Sequence, residues 1–313
     1  MKGLDWRYRL LATLSPFNPD LATMTDADRR RARYHRQPRW ATGRPDPGVS
    51  TKHVEVPCAD PQLQVRIDEP AKRSSEPLPL LVYIHGGAWM FCDMDTPEWL
   101  TTRLASATGA VVASLDYRLA PEHRFPAGLE DCCDALSWLA ENASSLGADT
   151  ERLAVMGDSA GGNLAAVLCL MVRDSGWPTI THQTLIYPAL DLTLASPSID
   201  TEGHHGMASR PQMEAVRELY IGEADAADWR VSPLYAENLV GLPPAHIVVA
   251  EHDTLRDDGI RYAERLRACD VAVRLSSYAG MAHGFLALRF TPSARRRALD
   301  DIVDELNKAF NRP

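Results

Sequence analysis

The sequence lacks any long hydrophobic run: no stretch approaches the ~18 consecutive apolar residues that cross a bilayer, so stable insertion into a membrane is not expected. Its first residues, MKGLDWRYRLLATLSPF, interrupt their apolar side chains with Asp5, Arg7 and Arg9. The unbroken apolar stretch of a secretory signal is therefore missing too, and a cytoplasmic location is expected. Positive charge is in deficit, with 33 Lys and Arg against 42 Asp and Glu and a formal net charge of −9, which disfavours nucleic acid as a partner. The cationic run Arg29, Arg30, Arg31, Arg33 and Arg36 reads as a solvated helix face in so acidic a chain. Six cysteines, two of them the adjacent Cys132 and Cys133, show no metal-ligand spacing and read as buried free thiols. Adjacent His204 and His205 have no acid at ligand spacing, so neither a metal nor any other cofactor is expected. Repeats and low-complexity tracts are absent.

What is present is a chain of 313 residues, 45% hydrophobic, long enough to bury one large core. Residues 1–50 read as short helices and connectors, with a helix start at Thr25, Asp26 and Asp28, and Pro45-Asp46-Pro47-Gly48 marks a turn. Beyond it, apolar strand-like runs at 52–57, 63–67, 80–85, 110–116, 152–156, 183–187, 245–251 and 271–276 follow one another. Helical patterns at 96–107, 129–142, 164–174 and 255–268 lie between them. Val-, Ile- and Leu-rich strands separated by helices predict an α/β fold with a mostly parallel central sheet flanked by helices. Residues 192–242 break the rhythm and read as an insertion near the carboxyl edge of the sheet, where open α/β sheets bind ligands.

Gly157-Asp158-Ser159-Ala160-Gly161 fits G-x-S-x-G, a pattern that a chain this long contains by chance roughly one time in ten. Its context narrows the reading, because a buried-strand pattern precedes it and a helical one follows. Ser159 thus falls in a strand-to-helix turn whose strain exposes the hydroxyl, with Gly157 and Gly161 removing bulk that would clash. Serine is a poor nucleophile near neutrality and needs a base, which needs an orienting carboxylate, in the chain order Ser, acid, His. Of ten histidines, His283 lies beyond the candidate acids, in a loop after the last strand. Asp253 sits in the loop after the 245–251 strand and is the expected acid. Glu251 is expected to end that strand as a supporting hydrogen-bond partner, Asp257 and Asp258 to open the next helix, and His252 to point elsewhere.

Attack on a carbonyl develops negative charge on its oxygen, and preorganised N–H donors there contribute ~10²–10³ each in rate. The strand ending near 84 runs into His85-Gly86-Gly87-Ala88-Trp89, so Gly86, Gly87 and Ala88 are candidate donors, with Ala160 on the serine side. Trp89 and Phe285 adjoin these motifs and are expected to line the substrate pocket and limit its depth. A small-molecule ester is the expected substrate. An amidase or peptidase with the same triad remains open, as does a ligand receptor on the same scaffold that does no chemistry, and a homodimer is equally open.

With these residues in view, the sequence resembles the bacterial hormone-sensitive-lipase-like esterases. The resemblance rests on His85-Gly86-Gly87-Ala88-Trp89, Asp116-Tyr117-Arg118-Leu119-Ala120-Pro121-Glu122-His123 and Gly157-Asp158-Ser159-Ala160-Gly161-Gly162, with Asp253-Thr254-Leu255 and His283-Gly284-Phe285 at the acid and base. Ala88 departs from the family's usual third glycine, and Thr254 from a frequent proline. The resemblance implies an α/β-hydrolase fold, with a catalytic domain over 51–313 and a cap built from residues 1–50 and the 192–242 insertion. It further implies a preference for short-acyl esters, and oxyanion donors at Gly87, Ala88 and Ala160.

Overall fold

Apolar runs without polar alternation have to be covered on both faces, and they form the middle of an eight-stranded sheet. The computed structural model describes residues 3–7, 42–57, 63–72, 76–203 and 209–311. Its strands are β1 (Val49–Val56), β2 (Leu63–Pro70), β3 (Leu78–Ile84), β4 (Val111–Leu115), β5 (Ala148–Asp158), β6 (His182–Ile186), β7 (Ala245–His252) and β8 (Val273–Ala282). Their order is β1-β2-β4-β3-β5-β6-β7-β8. The pairs β1–β2 and β2–β4 are antiparallel and the others parallel. β4 and β6 are buried at every residue, whereas β1, at the antiparallel edge, is mostly exposed.

The period of two along β3 sorts its side chains onto two cores. Leu80, Val82 and Ile84 join Leu129 and Leu136 of α2 (Ala127–Glu141), Leu164 and Leu168 of α3 (Ala160–Ser175), and Leu266 of α5 (Arg256–Ala268). Leu81 and Tyr83 join Leu100 and Leu104 of α1 (Glu98–Thr108), and Ile302 and Leu306 of α6 (Pro292–Phe310). Helices thus flank both faces, and the carboxyl ends of the parallel strands gather on one edge. Between β6 and β7 lie a short turn of helix (Ser198–Thr201), α4 (Arg210–Ile221) and a 3-10 turn (Pro233–Tyr235). Ser209 caps α4, its N–H donating to Gln212 Oε1 in the first turn at 2.8 Å, and the helix buries Met213, Val216, Tyr220 and Ile221.

Several boundaries differ from the sequence reading. β8 continues to Ala282, past the expected end at 276, so His283 follows a strand directly rather than standing inside a loop. The added length rests on an irregularity in β7 between Ala250 and His252, after which His252 pairs with Ala282, and on Gly280 N–H donating to Glu251 Oε2 at 2.7 Å. α3 starts at Ala160, earlier than the helix-forming residues suggested, because packing against β3 overrides the weak propensity of Gly161 and Gly162. α6 has buried residues at Ala294, Ala298, Ile302 and Leu306 and was not anticipated from the sequence. The run Arg29 to Arg36, the pair His204 and His205, and most of residues 1–50 lie outside the described residues. Among the described residues no helix is long and apolar enough to cross a membrane.

Candidate active site

Ser159 sits between the last residue of β5 and the first of α3, with φ 54° and ψ −116°. A non-glycine residue there costs of order 1–3 kcal/mol and persists only where its surroundings over-determine it. They do so here. Ser159 N–H donates to Ile186 O at 2.8 Å, and Asn163 N–H to Ser159 O at 3.1 Å. A Cβ on Gly157 would stand 2.2 Å from Gly161 O, and one on Gly161 2.0 Å from Ile84 O, so the turn closes only with glycine at both places.

β8 delivers His283 to this turn. Its Nδ1 lies 2.8 Å from Asp253 Oδ2, and its Nε2 lies 2.9 Å from Ser159 Oγ. Asp253 is fully buried, and its other oxygen accepts the Leu255 N–H at 2.9 Å. A carboxylate facing Nδ1 requires the proton there, which leaves Nε2 as an acceptor for the serine hydroxyl. Burial pulls the imidazole pKa down, but the Asp253 charge and hydrogen bond, helped by Asp158, outweigh it and hold His283 above its ordinary value. The Tyr187 ring packs 4.7 Å from the imidazole, centroid to centroid.

The neighbouring acids and histidine have other partners. Glu251 binds the Gly280 N–H and so fixes the end of β8. His252 turns its Nδ1 to Glu202 Oε2 at 3.1 Å. Asp257 and Asp258 occupy the first turn of α5. Asp257 accepts from Ser198 N–H at 2.9 Å, and Asp258 from the N–H groups of Leu190 and Asp191 at 3.0 and 3.1 Å. Burial pushes the Asp258 carboxyl up to about 7.

β3 feeds the loop expected to carry oxyanion donors. Tyr117 Oη–H donates to His85 O at 2.9 Å and its ring stacks on His85 at 4.4 Å, while the His85 Nδ1–H donates to Gly86 O at 2.8 Å. Burial lowers the His85 pKa, against the pull of the Gly86 carbonyl. Gly86 departs from expectation. Its N–H donates to Asp158 Oδ1 at 2.9 Å, and the same oxygen accepts Tyr83 Oη–H at 2.6 Å, so Gly86 has no N–H left for a substrate. Gly87, Ala88 and Trp89 follow with φ of 112°, 54° and 58°. The N–H groups of Gly87, Ala88 and Ala160 have no acceptor among the described residues.

The two expected pocket residues are both buried. Phe285 is 0% exposed, and packs in the core with Tyr187 and Tyr278. Trp89 is 2% exposed, and its ring lies flat on Tyr220 of α4 with centroids 4.3 Å apart and planes 8° apart. The 3-10 turn after Gly284 carries Phe285 inward. The sequence reading also passed over Asp158, Tyr83, Tyr187 and Tyr220. Only Asp158 offered a signal, a carboxylate beside Ser159 at the mouth of a buried strand.

Residues 81–287 match the family model described as the alpha/beta hydrolase fold, as the sheet order and the elbow require. Carboxylesterase NlhH of Mycobacterium tuberculosis is 40% identical over 238 residues, which cover 75% of either chain. An ethyl acetate hydrolase of Pseudomonas putida is 33% identical over 273 residues, 84% of either chain. Among solved structures, a hyperthermophilic esterase from Pyrobaculum calidifontis superposes with a TM-score of 0.87 at 33% identity, covering 98% of both chains. The chain belongs to the hormone-sensitive-lipase-like esterases of the α/β-hydrolase superfamily and is a carboxylic-ester hydrolase.

Proposed function

We propose that the chain hydrolyses short-acyl carboxylic esters through an acyl-enzyme on Ser159. The observation that carries this reading is the unbroken line from Asp253 through His283 to Ser159, with links of 2.8 and 2.9 Å. His283 Nε2 takes the Ser159 proton as Oγ bonds to the ester carbon, and Asp253 stabilises the imidazolium that results. The carbonyl oxygen becomes anionic and is met by the N–H groups of Gly87, Ala88 and Ala160. His283 then protonates the alkoxide, the alcohol leaves, and a water deprotonated by His283 attacks the acyl carbon to release the acid and restore Ser159.

The short-acyl preference draws on two supports. The P. putida relative is an ethyl acetate hydrolase. The helix of the insertion, α4, buries its apolar residues instead of presenting them as a lid that would dock on lipid. On this reading the insertion and the N-terminal segment form the cap over the site. The test is a homologous series of p-nitrophenyl esters, matched amides and an emulsified long-chain triglyceride. Each buried methylene adds about 0.8 kcal/mol, near fourfold, until space ends, so kcat/KM is expected to climb over the first few carbons and then fall sharply. Amides turned over better than esters would make the chain an amidase. Efficient turnover of the emulsion, with activation at its surface, would make it a true lipase.

A further inference from the structure

We propose that Tyr220, on α4 of the insertion, is a positioning residue for the oxyanion loop: its stack on Trp89 holds residues 87–89 in the conformation that aims the Gly87 and Ala88 N–H groups at the reacting carbonyl. This rests on the reading of those two groups as oxyanion donors.

Ala88 and Trp89 both keep a left-handed φ, of 54° and 58°. L-residues leave that region unless contacts from outside the local backbone hold them there. Three of the loop's anchors come from the hydrolase core. Tyr117 holds the His85 carbonyl, Asp158 holds the Gly86 N–H, and Ala120 N–H donates to Trp89 O at 2.9 Å. The Gly87 carbonyl is taken up within the loop by the N–H groups of Met90 and Phe91. These bonds fix backbone atoms on either side of Ala88, while the indole is covered by Tyr220.

Tyr220 is itself well located. Its carbonyl accepts Phe125 N–H at 2.9 Å, the Phe125 ring meets it edge-on at 6.1 Å, and the residue is 2% exposed. Neither the Tyr220 hydroxyl nor the Trp89 Nε1 has a hydrogen-bond partner among the described residues. The pair therefore meets through ring faces alone, and a phenyl ring supplies the same face as a phenol. An oxyanion donor works only within about 2.7–3.1 Å of its target, and a misplacement of ~1 Å costs ~10²-fold in rate. A tilt of the indole shifts the Trp89 backbone and, through the left-handed dihedrals of Ala88, turns the Gly87–Ala88 peptide that carries the Ala88 N–H, so a side chain on the insertion sets the reactivity of the core.

The test compares Tyr220→Phe, Tyr220→Leu and Tyr220→Met in the full chain on a short p-nitrophenyl ester. Circular dichroism reads folding, and the end point of fluorophosphonate titration counts competent Ser159. Tyr220→Phe is expected to keep kcat and KM within about twofold, since the lost hydroxyl has no hydrogen-bond partner among the described residues. Tyr220→Leu and Tyr220→Met, which fill volume without a ring face, are expected to lose about tenfold or more in kcat per titrated site with KM nearly unchanged. The midpoint of the rising pH limb should stay where it is, because His283 and Asp253 are untouched. A trifluoromethyl ketone, whose serine adduct carries the oxyanion, should weaken by the factor lost in kcat/KM, and a simple alcohol inhibitor should not. A parent-like kcat in Leu and Met, an equal fall in Phe, or equal weakening of both inhibitors would overturn the assignment. Turnover that survives Ser159→Ala would instead sink the acyl-enzyme reading itself. Ser159-dependent turnover with normal Tyr220 variants would remove only the role of Tyr220.

Discussion

The turn after β5 and the loop after β3 touch through the Gly86–Asp158 hydrogen bond, and both carry non-glycine residues at positive φ, yet they are held in different ways. In the turn, backbone crowds backbone: the space for a Cβ at Gly157 or Gly161 is already filled by carbonyl oxygens. In the loop, the backbone bonds from Ala120, Met90 and Phe91 are joined by side chains from Tyr117, Asp158 and Tyr220, three separate parts of the chain. The first kind of strain is locked by the core and leaves almost no freedom for substitution. The second is adjustable, because a side chain can be exchanged without moving the main chain that supports it.

The sharpest break in the comparison is at Ser159 itself. Ser159→Ala is expected to lose ~10⁴-fold or more in kcat while thermal unfolding stays near the parent's, since alanine keeps the backbone of the turn. Turnover within tenfold of the parent would remove Ser159 from the mechanism. His283→Asn should fall by a comparable factor, whereas His252→Asn, whose parent ring pairs with Glu202, should keep most activity. The opposite ranking would reassign the base.

Gly161→Ala tests the crowding directly. A methyl 2.0 Å from Ile84 O forces the sheet and helix apart, and a loss of at least about 3 kcal/mol is expected in urea unfolding. Gly284→Ala supplies the contrast, because its Cβ would meet nothing within 4 Å among the described residues and only the φ of 73° opposes it, for about 1 kcal/mol. Equal costs at the two positions would show that φ, not crowding, governs the glycines.

On the proposed acyl-enzyme mechanism, the pH profile of kcat/KM reports His283. Its pKa is raised, and only the neutral ring accepts the Ser159 proton, so the rate should rise with pH through a midpoint above the 6.5 of an ordinary histidine. A midpoint below that value would mean burial outweighs the charge of Asp253. The smallest effect is expected at Ala88→Gly. Glycine relieves the left-handed φ but makes the unfolded chain freer, and the two nearly cancel, leaving stability within about 1 kcal/mol in the same urea assay. A larger gain would place more of the loop's strain in Ala88 than the side-chain anchors offset.

Much of this was legible beforehand because it depends on local pattern. Strands such as β4 and β6 announce themselves by unbroken apolar runs, and the spacing of Gly157, Ser159 and Gly161 has a steric cause within the turn. The chain order of Ser159, Asp253 and His283 follows from where the strands end. The length of β8 was not legible, since it depends on Glu251 reaching across to Gly280 after a ladder irregularity in β7. Nor was α6, whose apolar residues gain meaning only from the face of the sheet they cover.

By itself, then, the sequence determined which residues meet at the carboxyl edge of the sheet, because glycine spacing, strand periodicity and chain order are properties of neighbours along the chain. The tertiary structure alone decided which of them are available for chemistry. Gly86 and Gly87 are adjacent and chemically alike, yet the Gly86 N–H is consumed by a carboxylate 72 positions away while the Gly87 N–H has no acceptor among the described residues. Trp89 and Phe285 are aromatic neighbours of catalytic motifs, yet one is covered by the insertion and the other by the core. The hydrogen-bonding and packing capacity of a group is used up by whichever partner the fold brings to it, and that partner can come from any point in the chain.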